Sequence, residues 1–556
     1  MGNRLNTLRK TTLWICGVVC ICLLMSSLLN RLMWHWVAKP PPVPAGESIS
    51  TEVPRVEGAR MYLGRNWLEV HDGLPVLYLT GSPFEMGYAN GFLTQEYIHR
   101  QEEAMIFMLY RAVPISWARS VLKVFVVFKN RHLGRFVPEE QQMEMLGVSL
   151  GCPDANHELG PLFNRILAFH AAQDISYMLM NNPLISGRCT AFCAWDRMSA
   201  DGHMIAGRNF DWEAAPVFDK DRMVILCEPD RGIPFVSLAW AGMVGTVSGM
   251  NREGLFVSVN GAPSDLAKDM GTPTCLVARQ VLQNARTIAE AREIIRSANV
   301  FVSALFVVAS RNDGRCVVVE KTPALTSFRD AGTNSYVVCA NHFLTRDLAS
   351  SPVNLAFLDA DTSQSRYDRA NELLADASAH MDPVTAVKIL RNRTVTGGKS
   401  AGNGNRGAIN PLIATHSVVA DLTDLIFWAA SPPHQLGTFV AFDVRNFTTE
   451  CSNRNIPADS ILTSGEYQKY LWAAGFLSRG KESLRAGEYE QAADFARLAE
   501  TLNPGFYANQ WLLGETLLKK RDLANAYRAL TNAMGRFPPV ARERNIISDL
   551  SHTGEN

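Results

Sequence analysis

Neither sign of charge is in excess in this chain: 54 Lys and Arg stand against 54 Asp and Glu. Without a basic surplus it has no general electrostatic grip on nucleic acid. Cysteine is scarce, eleven in 556 residues, which excludes a scaffold built on disulfides. The twelve histidines contain no His-Glu-x-x-His spacing, so a zinc-protease helix has no support. Gly398-Lys399-Ser400 resembles the end of a phosphate loop, but Arg393 stands where that loop needs its first glycine. Neither a metal nor a resident cofactor is expected. Apolar residues, in contrast, make up 47% of the chain, too many for a disordered polymer. The length suggests three or four units at roughly 150 residues each.

The first unit is apolar. Arg4, Arg9 and Lys10 precede an uncharged run from Leu13 to Leu29 that contains Cys16, Cys20 and Cys22. Seventeen helical residues span roughly 26 Å, just short of a bilayer core. The flanking charges predict a cytoplasmic start, and Trp34 and Trp36 suit the far interface. Residues 1–38 therefore read as a signal-anchor transmembrane helix, with a cleaved signal peptide and secretion as the alternative. Lys39-Pro40-Pro41-Pro42-Val43-Pro44 opens a stiff linker over residues 39–56. Everything beyond it is expected outside the cytoplasm, periplasmic or extracellular.

From residue 57 to about 184 the pattern is mixed, with helical stretches at Tyr97–Tyr110 and Pro161–Met178. At Gly187 it turns to short alternating strands. Asp201-Gly202, Asp230-Arg231-Gly232 and Asn251–Gly254 mark turns between antiparallel strands. Helices follow at Cys275–Asn284 and Ile288–Ser297, the second opened by a Thr287/Glu290 capping box. Strands and helices alternate in blocks as far as Phe442, which points to a layered α+β domain. The C-terminus differs again. Gly480, Leu484, Ala492, Ala499 and Pro504 recur 34 residues later as Gly514, Leu518, Ala526, Ala533 and Pro538. That period resembles the tetratricopeptide repeat, so residues 465–545 are expected to form helical hairpins. Two copies are too few to stand alone, and they are expected to cap the main domain or to hold a protein partner.

Two further motifs are declined. Gly147-Val148-Ser149-Leu150-Gly151 spells a serine nucleophile elbow, but Glu139–Leu146 before it reads as helix, not strand. Gly402-x-Gly404-x-x-Gly407 spells a dinucleotide fingerprint with no strand leading in, and reads as a mobile loop. Asn392-Arg393-Thr394 and Asn446-Phe447-Thr448 are glycosylation sequons, informative only in a eukaryotic source.

The chemistry gathers around one thiol. Arg188-Cys189-Thr190-Ala191-Phe192 opens a strand, and Gly207-Arg208-Asn209-Phe210-Asp211 lies on its partner. Val259-Asn260-Gly261, Ala340-Asn341-His342 and Ser365-Arg366-Tyr367 follow in order, and Leu79–Gly91 (LTGSPFEMGYANG) precedes them. Taken alone, Cys189 would be a buried core cysteine. The ordered series resembles the Cys-type N-terminal-nucleophile hydrolases. Its nearest branch is that of isopenicillin N acyltransferase, which transfers an acyl group from acyl-CoA to 6-aminopenicillanic acid. The resemblance covers residues 57–445 and implies a four-layer αββα core.

It also implies that the chain cuts itself between Arg188 and Cys189. Residues 57–188 and 189–447 would then be two fragments that stay associated. Cys189 would attack an amide carbonyl, using its own freed α-amine as base. Asp211 would orient that amine, Arg208 would supply a fixed cation, and Asn260 would donate to the oxyanion. Asn341 and Arg366 match later active-site positions. The residue before the nucleophile is glycine in the fungal enzyme, whereas Arg188 stands here, and this bears on the self-cleavage rate. The implied substrates are small molecules: a linear non-peptide amide, or an amine with acyl-CoA as donor. The alternatives are a thiol-dependent ester or lipid hydrolase, and a membrane-tethered binding protein with an inactive hydrolase-like domain. Cys193, four residues along the same strand face, reads as packed core.

Overall fold

The computed structural model describes residues 39–45, 53–179, 187–213, 215–263, 270–447 and 452–555. The apolar run Leu13–Leu29 lies outside these residues, as does part of the linker. Among the described residues no helix is long and apolar enough to cross a membrane.

In chain order the strands begin with β1 (Arg55–Glu57), β2 (Arg60–Leu63), β3 (Asn66–His71) and β4 (Leu74–Gly81). Next come β5 (Arg188–Ala194), β6 (Ile205–Asp211), β7 (Met223–Pro229), β8 (Phe235–Ala239), β9 (Ser248–Asn251) and β10 (Leu255–Gly261). They continue with β11 (Ala304–Ser310), β12 (Arg315–Lys321), β13 (Thr326–Arg329) and β14 (Tyr336–Cys339). A two-residue hairpin, β15 (Thr394–Val395) and β16 (Lys399–Ser400), precedes β17 (Ala414–Asp421), β18 (Ile426–Ala430) and β19 (Phe439–Asp443). One sheet has eleven strands in the order β1-β2-β3-β4-β7-β8-β9-β10-β11-β12-β13, and a second has six, β14-β5-β6-β17-β18-β19.

Alternation decides how these sheets stack. Val224, Leu226, Phe256, Leu305 and Val307 of the large sheet pack against Ala191, Ala206, Val418, Phe427 and Phe442 of the small one. The opposite face of the large sheet, with Ile225, Val257, Phe306 and Val308, is covered by the helices Thr274–Asn284 and Ile288–Ser297. The outer face of the small sheet is covered by Ser363–Asp376 and Pro383–Leu390. The result is four layers, helix–sheet–sheet–helix, as the resemblance implied. The expected capping box on Thr287 and Glu290 is formed.

The upstream region holds four strands that the sequence pattern did not separate from its mixed background. β4 pairs in parallel with β7, so the segment before Cys189 is woven into the same sheet as the segment after it. The Leu79–Gly91 motif is the end of β4 and the helix Pro83–Leu93, opened by a Ser82/Glu85 capping box with proline at its start. Two glycine pairs explain its spacing. A Cβ on Gly87 or Gly91 would collide with the backbone of Glu144 or Val148. One on Gly147 or Gly151 would collide with the Phe84 or Tyr88 carbonyl. The apparent nucleophile elbow is thus a helix surface, Glu139–Gly151, pressed backbone to backbone against its neighbour.

At the C-terminus five helices run Glu466–Ala486, Tyr489–Leu502, Tyr507–Lys519, Leu523–Met534 and Ala541–Glu555. Tyr489 and Leu523 open the second and fourth, at the offset of the sequence period. Gly480 and Gly514 lie at the helix crossings, where an added Cβ would meet Leu512 at 2.7 Å and Leu530 at 2.6 Å.

The glycine loop at 402–407 is not the mobile loop its composition suggested. A Cβ on Gly402 would meet the Phe506 backbone at 2.5 Å, and one on Gly404 the Tyr470 ring at 2.8 Å. Asn403 and Asn503 exchange hydrogen bonds of 3.0 and 2.8 Å, and Asn405 donates to the Phe537 carbonyl. Gly402 and Gly404 both lie at positive φ and also leave the space that the helical module occupies.

Candidate active site

Cys189 sits near the start of β5, completely buried and facing the space between the sheets. Cross-strand pairing sets Cys189 opposite Phe210, and Ala191 opposite Arg208. Arg208 extends back along this face so that its Nη2 donates to Cys189 Sγ at 3.2 Å. The same guanidinium is fixed by Ser248 Oγ at 2.9 Å and by the Val259 carbonyl. A buried guanidinium held by neutral acceptors keeps its charge available to the thiol.

Three further side chains hold the backbone of the nucleophile. Asn341, just beyond β14, accepts the Cys189 N–H on its Oδ1 at 2.9 Å, and its Nδ2 donates to the Gly261 carbonyl at 2.9 Å. Arg366 donates to the Cys189 carbonyl, to Thr190 Oγ1 at 3.1 Å and to Asn341 Oδ1 at 2.9 Å. It is fully buried, in the first turn of the Ser363–Asp376 helix. Asn260, near the end of β10, has its amide NH2 engaged by the carbonyls of Ala340 (2.9 Å) and Cys339 (3.2 Å). Its Oδ1 faces Arg208 Nε at 3.4 Å. The amide that the resemblance makes an oxyanion donor thus has its NH2 engaged by backbone carbonyls.

Asp211 is the exception to this saturation. It is buried, and neither carboxylate oxygen has a hydrogen-bond partner among the described residues. Burial pushes it up to about 7, although Arg366, Arg188, Arg406 and Arg208 all pull the other way. Burial also raises the Cys189 thiol; the Arg208 and Arg366 cations oppose this and Asp211 adds to it. In this state the thiol is protonated at neutral pH and awaits a base. Arg188, at the expected cleavage bond, is buried too, with Nε on Asp361 Oδ2 at 2.8 Å.

Arg208, Asn341 and Arg366 therefore gather on Cys189, Asn260 joins them through Arg208, and Asp211 lies close enough to raise the thiol. By the alternation of β5 and β6, Cys189 and Arg208 face the space between the sheets, whereas Arg188 and Asp211 point to the helix-covered face. Sequence reading missed the residues that hold them. Ser363 Oγ accepts the Asn341 N–H at 2.8 Å and lies 2.7 Å from His342 Nδ1. Asp361 lies between Arg188 and Arg366. Serines and aspartates at helix starts are too common to mark such roles in sequence.

A cavity of about 380 Å³ lies next to this site, lined by Gly187 and Phe210, the neighbours of Cys189 along and across the strands, but by none of the six expected site residues. Met105, Met108 and Leu109 of the helix Gln95–Ala112 also line it, with Trp212 and Trp240 on the wall. Its lining is overwhelmingly apolar, which suits an acyl chain or another apolar body.

Residues 197–398 match the family described as Acyl-coenzyme A:6-aminopenicillanic acid acyl-transferase. This segment begins after Cys189 and so carries the surrounding sheets and helices, not the thiol itself. An uncharacterized protein of Archaeoglobus fulgidus is 24% identical over 348 residues, 56% of this chain and 57% of that protein. Protein dcd1B of Dictyostelium discoideum is 26% identical over 234 residues, 39% of this chain and 44% of that one. The chain thus spans about half the length of each relative. Among solved structures, it is similar to a Caenorhabditis elegans ortholog of N-acylethanolamine-hydrolyzing acid amidase. There the identity is 17%, over 42% of this chain and 93% of that one, with a TM-score of 0.31. Penicillin V acylase from Agrobacterium tumefaciens gives 17%, 46%, 85% and 0.31 in the same order. A mutant of conjugated bile acid hydrolase from Clostridium perfringens gives 15%, 47%, 94% and 0.33. The layered architecture stands on strand order and register, not on these likenesses.

Proposed function

We propose that this chain is a self-activating cysteine amidohydrolase or acyltransferase that acts on a linear, non-peptide amide through an acyl-thioester on Cys189. The observation that carries the reading is a guanidinium-contacted thiol with an unpartnered buried carboxylate, Asp211, close by, next to an apolar cavity.

Activation begins with Cys189 Sγ attacking the Arg188 carbonyl. The peptide C–N bond breaks, the acyl group passes to sulfur, and water releases the Arg188 carboxylate. The products are a free thiol and a new α-amino group on Cys189. An α-amine titrates near 7.7–8.0, which suits proton transfer at neutral pH. Asp211, now ionised, holds the ammonium and relieves its own burial penalty. In turnover the amine takes the thiol proton and the thiolate attacks the substrate carbonyl. The oxyanion forms beside Asn260, and the leaving amine departs with the proton. Water then completes hydrolysis, or a second amine completes acyl transfer. Acyl-CoA fits this scheme as a donor substrate, and no resident cofactor is required.

The two fragments stay together because β4 is hydrogen-bonded along β7. We further propose that the C-terminal hairpins are tetratricopeptide-like and serve chiefly as a cap. The Leu13–Leu29 run would tether the enzyme to a membrane with its catalytic domain outside the cytoplasm. The test is covalent. Incubation with a slowly hydrolysed acyl amide, then quenching in acid and peptide mapping, should place the acyl mass on Cys189 and hydroxylamine should remove it. An acyl group on another residue, or none despite turnover, would sink the mechanism.

A further inference from the structure

The cavity beside Cys189 opens at an unusual surface. Large apolar side chains are exposed in one short stretch: Phe107 (61%), Leu109, Tyr110, Ile115, Trp117 (68%) and Val121 (60%). Leu109 is both exposed and part of the cavity wall, so patch and cavity are continuous. The stretch joins the end of the Gln95–Ala112 helix to the helix Ser116–Asn130. Trp117 and Val121, four residues apart, fall on one face of the second helix. Arg119 ties the two together, donating to the Val113 and Pro114 carbonyls and stacking over the Tyr110 ring at 4.3 Å.

The charge of this stretch is one-sided although the whole chain is balanced. Between Glu103 and Glu139 stand Arg111, Arg119, Lys123, Lys129, Arg131 and Arg135, with no Asp or Glu. A short amphipathic helix with exposed Trp, Ile and Val, flanked only by cations, matches an anionic bilayer interface in both chemistry and charge. A contiguous apolar patch left in water would otherwise be a liability.

We propose that residues 107–121 dock on an anionic lipid surface and open the cavity to the bilayer, so that the substrate is an amphiphilic amide whose acyl chain enters from the membrane. The docking stands by itself; the route for an amide rests on the proposed amidase reading.

The full-length chain is reconstituted in nanodiscs of phosphatidylcholine alone and of phosphatidylcholine with phosphatidylglycerol. Amide hydrogen exchange is followed in peptides covering 105–123, a local readout that an anchor elsewhere in the chain does not supply. Exchange there should slow about tenfold on the anionic discs, and the protection should vanish in Trp117→Glu/Val121→Glu. The same variant should hydrolyse a long-chain amide embedded in the disc about tenfold more slowly while leaving a water-soluble short-chain amide unaffected. Equal exchange on both lipids, or protection that survives the double substitution, overturns the docking and leaves the patch to a protein partner. Slowing of both substrates alike overturns the membrane route. If no form hydrolyses any amide, the amidase reading fails and the exchange contrast still decides the docking.

Discussion

Cys189 and Cys193 are the same residue type, on the same face of the same strand, and both are completely buried. Burial raises the thiol of each. What separates them is what stands opposite. Cys193 pairs across the sheet with Ala206 and Val337, and the thiol of Cys316 is its polar neighbour. Cys189, two turns of the pleat away, meets Arg208, and its backbone is gripped by Asn341 and Arg366. On the proposed reading, four residues of strand separate a packed thiol from the nucleophile, and the difference lies in the partners that the fold delivers.

The sharpest way to test that contrast is to remove each sulfur. Cys189→Ala should abolish both self-cleavage and amide turnover while the fold persists, as read by activity assay and circular dichroism. The second largest effect is expected at the implied oxyanion donor. Asn260→Ala should lower kcat by about 10²–10³ with little change in KM, measured on the cleaved enzyme. A fall in cleavage without any fall in kcat would assign Asn260 to activation alone.

Asp211 sharpens the comparison through pH. Burial lifts its carboxyl to about 7, so the folded uncut chain keeps a proton that the unfolded chain releases near 3.9. Its contribution to stability is complete below pH 4 and is lost as pH rises towards 7. In a Cys189→Ala background, Asp211→Asn should therefore stabilise the uncut chain by on the order of 2 kcal/mol at pH 8 and by little at pH 4. Thermal unfolding at the two pH values reads this directly, and an equal shift at both would contradict it. The smallest change belongs to the inert thiol. Cys193→Ala should cost about 1 kcal/mol of stability and leave activity within about twofold. A larger loss of turnover would mean that the core end of the strand takes part after all.

The strands from β5 onward were legible because Asp-Gly and Asn-Arg-Glu-Gly turns punctuate alternating runs. β1–β4 were not separated, although Asp72-Gly73 marks the β3–β4 turn with both residues at positive φ. Flanking helices hid that signal in a mixed background. That Cys189, Arg208 and Asp211 lie on two adjacent strands followed from the Asp201-Gly202 turn, whereas their expected roles came only from the resemblance. Arg366, in contrast, reaches Cys189 across 177 residues, and no local pattern announces a contact that depends on how a helix crosses a sheet. The loop at 402–407 misled for a related reason. Its glycines take positive φ, as a loop composition suggests, but that they also admit a docked neighbour shows only when the neighbour is present.

The mechanism turns on whether the chain makes its own base. Intact-mass analysis of the purified full-length protein beside its Cys189→Ala variant tests this most directly. The parent should appear as two fragments parted between Arg188 and Cys189, and the variant as one uncut chain. A parent that remains a single chain and still hydrolyses amides as fast as any cleaved preparation would contradict it.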